Sequence, residues 1–365
     1  MEYQTFFSEV KDFRVQGRCL HQLEDILMLS LCAAICGAED FEDIENYGRQ
    51  KEDFLRSFLT LPNGIPSHDT IDRVFRHLDP TSLSNSLYRW SSEILSFLSY
   101  YQINIDGKVL RGTAEAGKRT SGLCLLSAWV ADHCLSLGQV KVDEKSNEKT
   151  AIPKLLDDLD LEHAVVSIDA VACNPSIAEQ IIEKHGDYLL ALKMNQKKLC
   201  EQVTSEMERQ KSGLEHHIWE DFGNGRIEKR TCYVLKDLQF LDDLQDWAGV
   251  KSVVMIEAQR EKNGKQTLET RYYLSSLDEN AIEFNRLVRS HWSIENQLHW
   301  QLDVSFREDQ SRTRKDHAPE NMATLRKTAL QALKQVNDKQ SIKSRRKIAG
   351  WNDEYLIQIL QNLRF

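Results

Sequence analysis

Two short runs, AVVSI in 164–168 and YLLAL in 188–192, contain no charged residue, and each follows a segment of helical period. A strand apolar on both faces belongs inside a sheet covered by helices on both sides. The chain leading into them is equally restrictive. QINIDGKVL (102–110) alternates as a strand and is read as ending in Asp106-Gly107-Lys108; LCLLSAWVAD and CLSLGQVKVD form a hairpin about Asp132-His133. NEKTAIPKLLDDLDL is helical, with Asn147 as its cap and Pro153 near its first turn. Asn174-Pro175 opens a second helix, which Gly186 stops. The order is strand, two-stranded hairpin, helix, strand, helix, strand, with the right-handed crossovers of parallel βαβ units.

This is the order of a ribonuclease-H-like α/β core, still lacking one helix after the fifth strand. The helix arrives late. Residues 195–280 intervene as a mostly β insertion: a helix in CEQVTSEMERQ, then strands in RIEKRTCYVL, VKSVVMIEAQREKNG and LETRYYLSSL. The last two are expected to pair across Asn263-Gly264, a type I′ turn signal. The closing helix begins near Asn280 and runs through HWSIENQLHWQLDVSF (291–306), read as one continuous helix. The plan is therefore a helical N-terminal domain (1–97), the first part of the core (98–194), the insertion (195–280), the closing helix (281–310) and a basic helical C-terminal region (311–365).

In the closing helix Ile294, Leu298 and Leu302 recur at four-residue steps, a buried stripe. Glu295 lies beside it, with His291 and His299 one turn to either side. A carboxylate so near a core face is costly without a partner. Asp106 and Asp169 share the oddity, each at the end of a predicted strand, where parallel sheets place ligand sites. Singly they are ordinary: an Asp before Gly is a turn residue, strands often end in Asp, and Glu295 could pair with Arg289 or His299. Brought together by the fold, three carboxylates repel and raise one another's pKa. Hard divalent cations resolve that, and two such ions suit displacement at a phosphodiester. Trp292 and Trp300 flank Glu295 and read as packing residues, with base stacking as the functional alternative.

The net charge of −9 opposes a nucleic-acid partner, but residues 301–365 alone carry +5, mostly in SRTRKDHAPENMATLRKTALQALK and SIKSRRK. The eight cysteines form no CxxC pair, so they read as reduced thiols and no zinc site is supported. No apolar run is long enough to span a membrane, and the N-terminus lacks a signal-peptide pattern, so a cytoplasmic protein is expected.

CGAEDFEDIENYG, LPNGIPSHDTIDRVF, IDGKVLRG, DEKSNEKTAIPKLLDDLDL, SIDAVAC, GDYLLALKMNQ, HWSIENQLHWQLDVSFREDQSR and APENMATLRK together resemble the DDE transposases of bacterial insertion sequences, in the H-repeat-associated branch linked to Rhs elements. The resemblance implies cutting and joining of DNA at the element's terminal inverted repeats, with target DNA as second substrate, a homodimer on the DNA and nucleoid association. It implies Mg²⁺, with Mn²⁺ as a substitute, two ions held by Asp106, Asp169 and Glu295. Lys108 and Arg111, just past the first acid, are candidate phosphate contacts, as are Lys193, Arg289 and His291. The better-known Tyr, Arg, Glu, Lys signature of such enzymes is absent: its other slots around Glu295 hold Val288, His291 and Leu302. A DNA-binding relic or regulator without catalysis, and a ribonuclease-H-like nuclease, are the competing readings.

Overall fold

A computed structural model describes residues 5–15, 17–114, 122–143, 148–223, 226–262 and 265–363. Five helices come first: α1 (Leu23–Cys36), α2 (Phe41–Gln50), α3 (Glu52–Leu55), α4 (His68–His77) and α5 (Pro80–Leu95). Their starts are set by short polar side chains. Asp40 accepts from the Asp43 N–H, Ser67 from Thr70, and Asp79 from Thr81 and Ser82, with Pro80 in the first turn of α5.

The sheet then assembles from β1 (Tyr101–Leu110), β2 (Leu123–Val130), β3 (Leu135–Val142), β4 (Ala164–Ile168) and β5 (Asp187–Leu192), with α6 (Glu148–Asp158) and α7 (Pro175–Glu183) as crossovers. β1, β4 and β5 are parallel and β2 is antiparallel to both β1 and β3, so this half has the ribonuclease-H-like order 3-2-1-4-5. β1 does not stop at Asp106–Lys108 but continues to Leu110, because β2 pairs with it over that whole stretch. At the end of α7 the left-handed residue is His185 (φ 61°) rather than Gly186. Gly186 has a packing reason instead: a Cβ there would stand 3.0 Å from Leu161 Cβ. The expected cap Asn147 lies outside the described residues.

The insertion does not form a separate body. After α8 (Lys197–Gln210) it supplies β6 (Glu215–Gly223), β7 (Arg226–Leu235), β8 (Ser252–Lys262) and β9 (Lys265–Ser275), and β9 pairs antiparallel with β5. One nine-stranded sheet results, in the order β3-β2-β1-β4-β5-β9-β8-β7-β6. β8 and β9 do pair, with Lys262 opposite Lys265; the predicted turn residues Asn263 and Gly264 lie outside the described residues. β6 has no counterpart in the sequence reading, since EHHIWEDFG mixes exposed Ile218 and Phe222 among polar residues and lacks an apolar face. β9 is exposed over its first six residues and buried over its last three, so the outer end of this strand projects from the core.

α6, α7 and α8 cover one face of the sheet; α9 (Ala281–His291) covers the other against β4, β5 and β7–β9. A further core joins α1–α5 to α11 (Ala318–Lys334), α12 (Ile342–Trp351) and α13 (Asp353–Gln361), with Ile294, Leu298, Leu302 and Phe306 between them. This packing revises the meaning of the basic C-terminal charge. Arg326, Lys327, Arg345 and Arg346 are all buried. Arg345 donates to the Leu333 carbonyl, Arg346 to that of Ala34, and Lys327 to Ser127 and Gln139, all within the protein. Much of the excess therefore fastens helices together rather than facing solvent.

Gly112 closes the far end of β1. A Cβ at this position would come within 2.2 Å of the Ser311 carbonyl oxygen and 2.8 Å of that of Asp309, both backbone atoms unable to rotate away. Gly112→Ala is expected to cost about 1–3 kcal/mol by overpacking, read as an earlier thermal unfolding transition.

Candidate active site

The register of β1 and β4 brings the first two acids together. Ile105 pairs with Ile168, the last rung of that parallel ladder. Asp106 and Asp169 are the next residues on two adjacent strands, whose spacing is about 4.8 Å. Asp169 leaves the strand as the cap of a 3-10 turn, accepting from the Ala170 N–H at 2.7 Å. Burial works to raise its pKa, but that hydrogen bond and Lys193, with Nζ 3.3 Å from Oδ1, outweigh burial and hold the carboxyl below its ordinary value. Asp106 behaves in the opposite way. Burial, with the nearby charges of Glu295, Glu148 and Asp169, pushes it up to about 7, against a weaker hydrogen bond from the Gly107 N–H.

The segment carrying Glu295 is not one regular helix. α9 ends at His291, residues Glu295–His299 form a π-helical turn, and α10 (Trp300–Ser305) follows. Ile294, Leu298 and Leu302 are buried as the stripe predicts. Such turns rotate side chains off the regular helical period and recur at functional sites. Here Glu295 is exposed, beside the apolar stripe but not in it. His299, pushed down to about 3 by burial and by Lys327 and Lys108, is a neutral imidazole 3.4 Å from Asp106 Oδ2.

His291 lies in a buried polar network that docks α9 on the sheet. Gln102 donates to Ser167 Oγ and to the Leu287 carbonyl, at 3.0 and 2.9 Å. Ser167 donates to Asn104 Oδ1 at 2.7 Å, so the His291 Nδ1 contact at 2.9 Å has the imidazole as donor. Asn104 in turn donates to the Ser290 carbonyl. Burial takes His291 down to about 4. It is neutral and enclosed, and anchors the helix instead of facing a phosphate.

The remaining predicted contacts divide. Lys108 is only 11% exposed, and its ammonium lies 2.5 Å from Asp303 and 2.7 Å from Glu308, so its charge is committed inside the protein. Arg111 is open to solvent, with Asp309 3.5 Å from its Nε. Lys193 sits on Asp169, and Arg289 is exposed beside the Trp219 ring. Trp292 packs as expected, with Arg271 over its ring at 4.2 Å, whereas Trp300 is 53% exposed and is not a core residue.

Glu148 was missed by sequence reasoning. It opens α6, and a Cβ on Gly107 would lie 2.2 Å from its Oε1, so the carboxylate rests directly over the residue after Asp106. Burial and the Asp169 charge raise its pKa. The available signal was Glu at the start of a helix one crossover before Asp169, which reads equally well as an N-terminal helix charge. Among the described residues no three His, Cys, Asp or Glu side chains are grouped closely enough to form a ready-made metal site.

Residues 99–331 match the family described as Transposase DDE domain, and residues 4–91 match the family described as DDE_Tnp_1-associated. The chain belongs to the H repeat-associated DDE transposases. "Putative transposase YncI" of Escherichia coli O157:H7 is 37% identical over 364 residues, covering 97% of this chain and 93% of that protein. "H repeat-associated putative transposase YhhI" of Escherichia coli K12 is 36% identical over 368 residues, covering 97% and 96%. "Inactive transposase YbfQ" of the same strain is 51% identical over 63 residues, 17% of this chain and 75% of that protein. Within this DDE transposase, the three slots that depart from the better-known signature have a common explanation. Val288, His291 and Leu302 are all buried, so a Tyr, Arg or Lys placed there would point into the core.

Proposed function

We propose that the protein is a metal-dependent DNA transposase that cuts and joins phosphodiesters at the ends of its element. Asp106, Asp169 and Glu295 are its catalytic acids. The observation that carries this reading is the adjacency of Asp106 and Asp169 at the end of the β1–β4 ladder, with Glu295 near enough to help raise the Asp106 carboxyl. The donor set is all carboxylate oxygen, the chemistry preferred by Mg²⁺, with Mn²⁺ as a substitute. Divalent ions held there would supply Lewis-acid activation of the attacking hydroxyl and stabilisation of the leaving oxygen. Asp169, fixed by the Ala170 N–H and held ionised by Lys193, is an anionic ligand in the metal-free protein. His299, with Nδ1 3.4 Å from Asp106 Oδ2, steadies that carboxyl without adding charge. Arg111 and Arg289, both exposed, are the predicted cations best placed to meet DNA phosphates.

The purified chain with Mg²⁺ or Mn²⁺ is expected to nick and join DNA carrying the terminal inverted repeats that flank its gene. Products in neither metal, with end binding retained, would instead establish the relic reading, which the relative named inactive makes worth testing.

Glu148 enters the same site as a fourth acid. Glu148→Gln is expected to weaken Mn²⁺ binding about tenfold, as loss of a ligand-shell carboxylate does elsewhere. Titration calorimetry on the DNA-free protein measures this. An unchanged Mn²⁺ affinity would remove Glu148 from the site.

A further inference from the structure

A cavity of about 360 Å³ opens on the Glu295 turn, between that turn and the faces of β7, β8 and β9. Its walls carry four guanidinium groups, Arg230, Arg260, Arg271 and Arg289, with Trp292 and Glu295 at the α9 side. Two of its three carboxylates are already paired, and the third, Glu295, belongs to the proposed catalytic set. Glu228, 2% exposed, pairs with Arg230 and lies 3.7 Å from Arg260, and Glu269 pairs with Arg271 at 2.7 Å. Arg289 is exposed and faces the Trp219 ring at 5.8 Å. Arg230 lies over the same ring at 5.3 Å. Burial, with repulsion from Arg289 and Arg260, lowers the Arg230 pKa despite its bond to Glu228.

Like charges crowded into a partly closed cavity are unfavourable until an anion enters, and guanidinium forks suit phosphate oxygens best. We infer that this cavity is an anion site for a DNA backbone phosphate, seated on the strand that passes from the three acids over the insertion. It rests on the proposed transposase function and deepens it. The insertion strands would then bind substrate as well as extend the sheet, and β6 would contribute through Trp219, which backs both Arg230 and Arg289. Three of the four arginines come from insertion strands, where the sequence offered no phosphate-binding candidate.

The test uses the full chain, a short fluorescein-labelled duplex with a 3′ single-stranded overhang, and KCl from about 50 to 200 mM, the range over which phosphate neutralisation shows itself. Arg260→Gln combined with Arg289→Gln is expected to raise Kd about tenfold or more, because charge-assisted hydrogen bonds to the phosphate are removed. The slope of log affinity against log salt should become shallower by about one for each phosphate that the variant no longer neutralises, with thermal unfolding unchanged. A double variant with the wild-type Kd and salt slope overturns the anion site. If the wild-type protein and the variant differ as expected but the wild type forms no nicked or joined product, the anion site stands and the catalytic reading fails. If the wild type forms product and the variant keeps its salt slope, only the anion site fails.

Discussion

Asp106→Asn should abolish nicking and joining while leaving the fold as stable as the wild type or more so. The two halves of this expectation have one cause. Burial and the charges of Glu295, Glu148 and Asp169 already disfavour the Asp106 carboxylate and place its pKa at about 7. Asn keeps the size and shape of the side chain but removes the charge, so repulsion among four acids falls. The sign follows from the raised pKa: the folded state penalises the ionised form, and stability from this residue is lost as pH climbs from about 4 through 7. At pH 8 without added metal, Asp106→Asn is therefore expected to unfold at the wild-type temperature or higher. Catalysis moves the other way. A hard cation needs the anionic ligand, and its transition-state stabilisation is worth several kcal/mol, so product should fall by about 10³-fold or more. An aspartate kept only to cap a turn would show the reverse pattern, with stability lost and chemistry retained. Wild-type product yield from Asp106→Asn would end the catalytic assignment.

The legibility of this fold differed by element for physical reasons. The apolar runs of β4 and β5 and the alternation of β1 could be read because burial on both faces or on one face leaves a periodic mark. The insertion strands were less legible because the outer end of β9 is solvated on both faces, that of β7 buries the charged Glu228 and Arg230, and β6, at the sheet edge, lacks an apolar face. That these strands continue the same sheet through β5 and β9 has no local signal; it depends on a pairing between residues about 85 apart. In the proposed site, Asp106 and Asp169 stand out in the sequence by their positions at strand ends, whereas Glu148 reads as an ordinary helix-start acid. The π-helical turn at Glu295 was invisible, since Ile294, Leu298 and Leu302 keep a helical spacing across it. Charges were the least legible. Sequence position put Lys108, His291 and the basic C-terminal region near DNA, but partners supplied by distant segments bury His291, Arg326, Lys327, Arg345 and Arg346 and leave Lys108 only slightly open, whereas Arg312 and Arg314 stay exposed.

Lys108 offers the clearest separation of those two roles. As a phosphate ligand, its removal would weaken DNA binding and leave stability alone. Its surroundings argue for the other outcome. The ammonium is held by Asp303 of α10 and by Glu308, whose side chain is 1% exposed, so it ties the last residues of β1 to the segment following the Glu295 turn. Both carboxylates, the Arg111 N–H that donates to Asp309 and the Gly112 carbonyl that accepts from Arg314 lie along one seam, closed at its far end by Gly112. Lys108→Met fills similar volume without charge and strands two carboxylates, one of them fully enclosed. Breaking a buried pair by removing one partner costs about 3–5 kcal/mol. The buried Lys327 and Arg326, whose charges also act near Glu308, place the expected loss toward the lower end of that range. Urea unfolding should show a lower midpoint for Lys108→Met, with part of the loss recovered when Glu308→Gln is added. DNA affinity measured well below that midpoint should remain at the wild-type value. A stable Lys108→Met protein that binds DNA poorly would return this lysine to the substrate and leave the seam held by its neighbours.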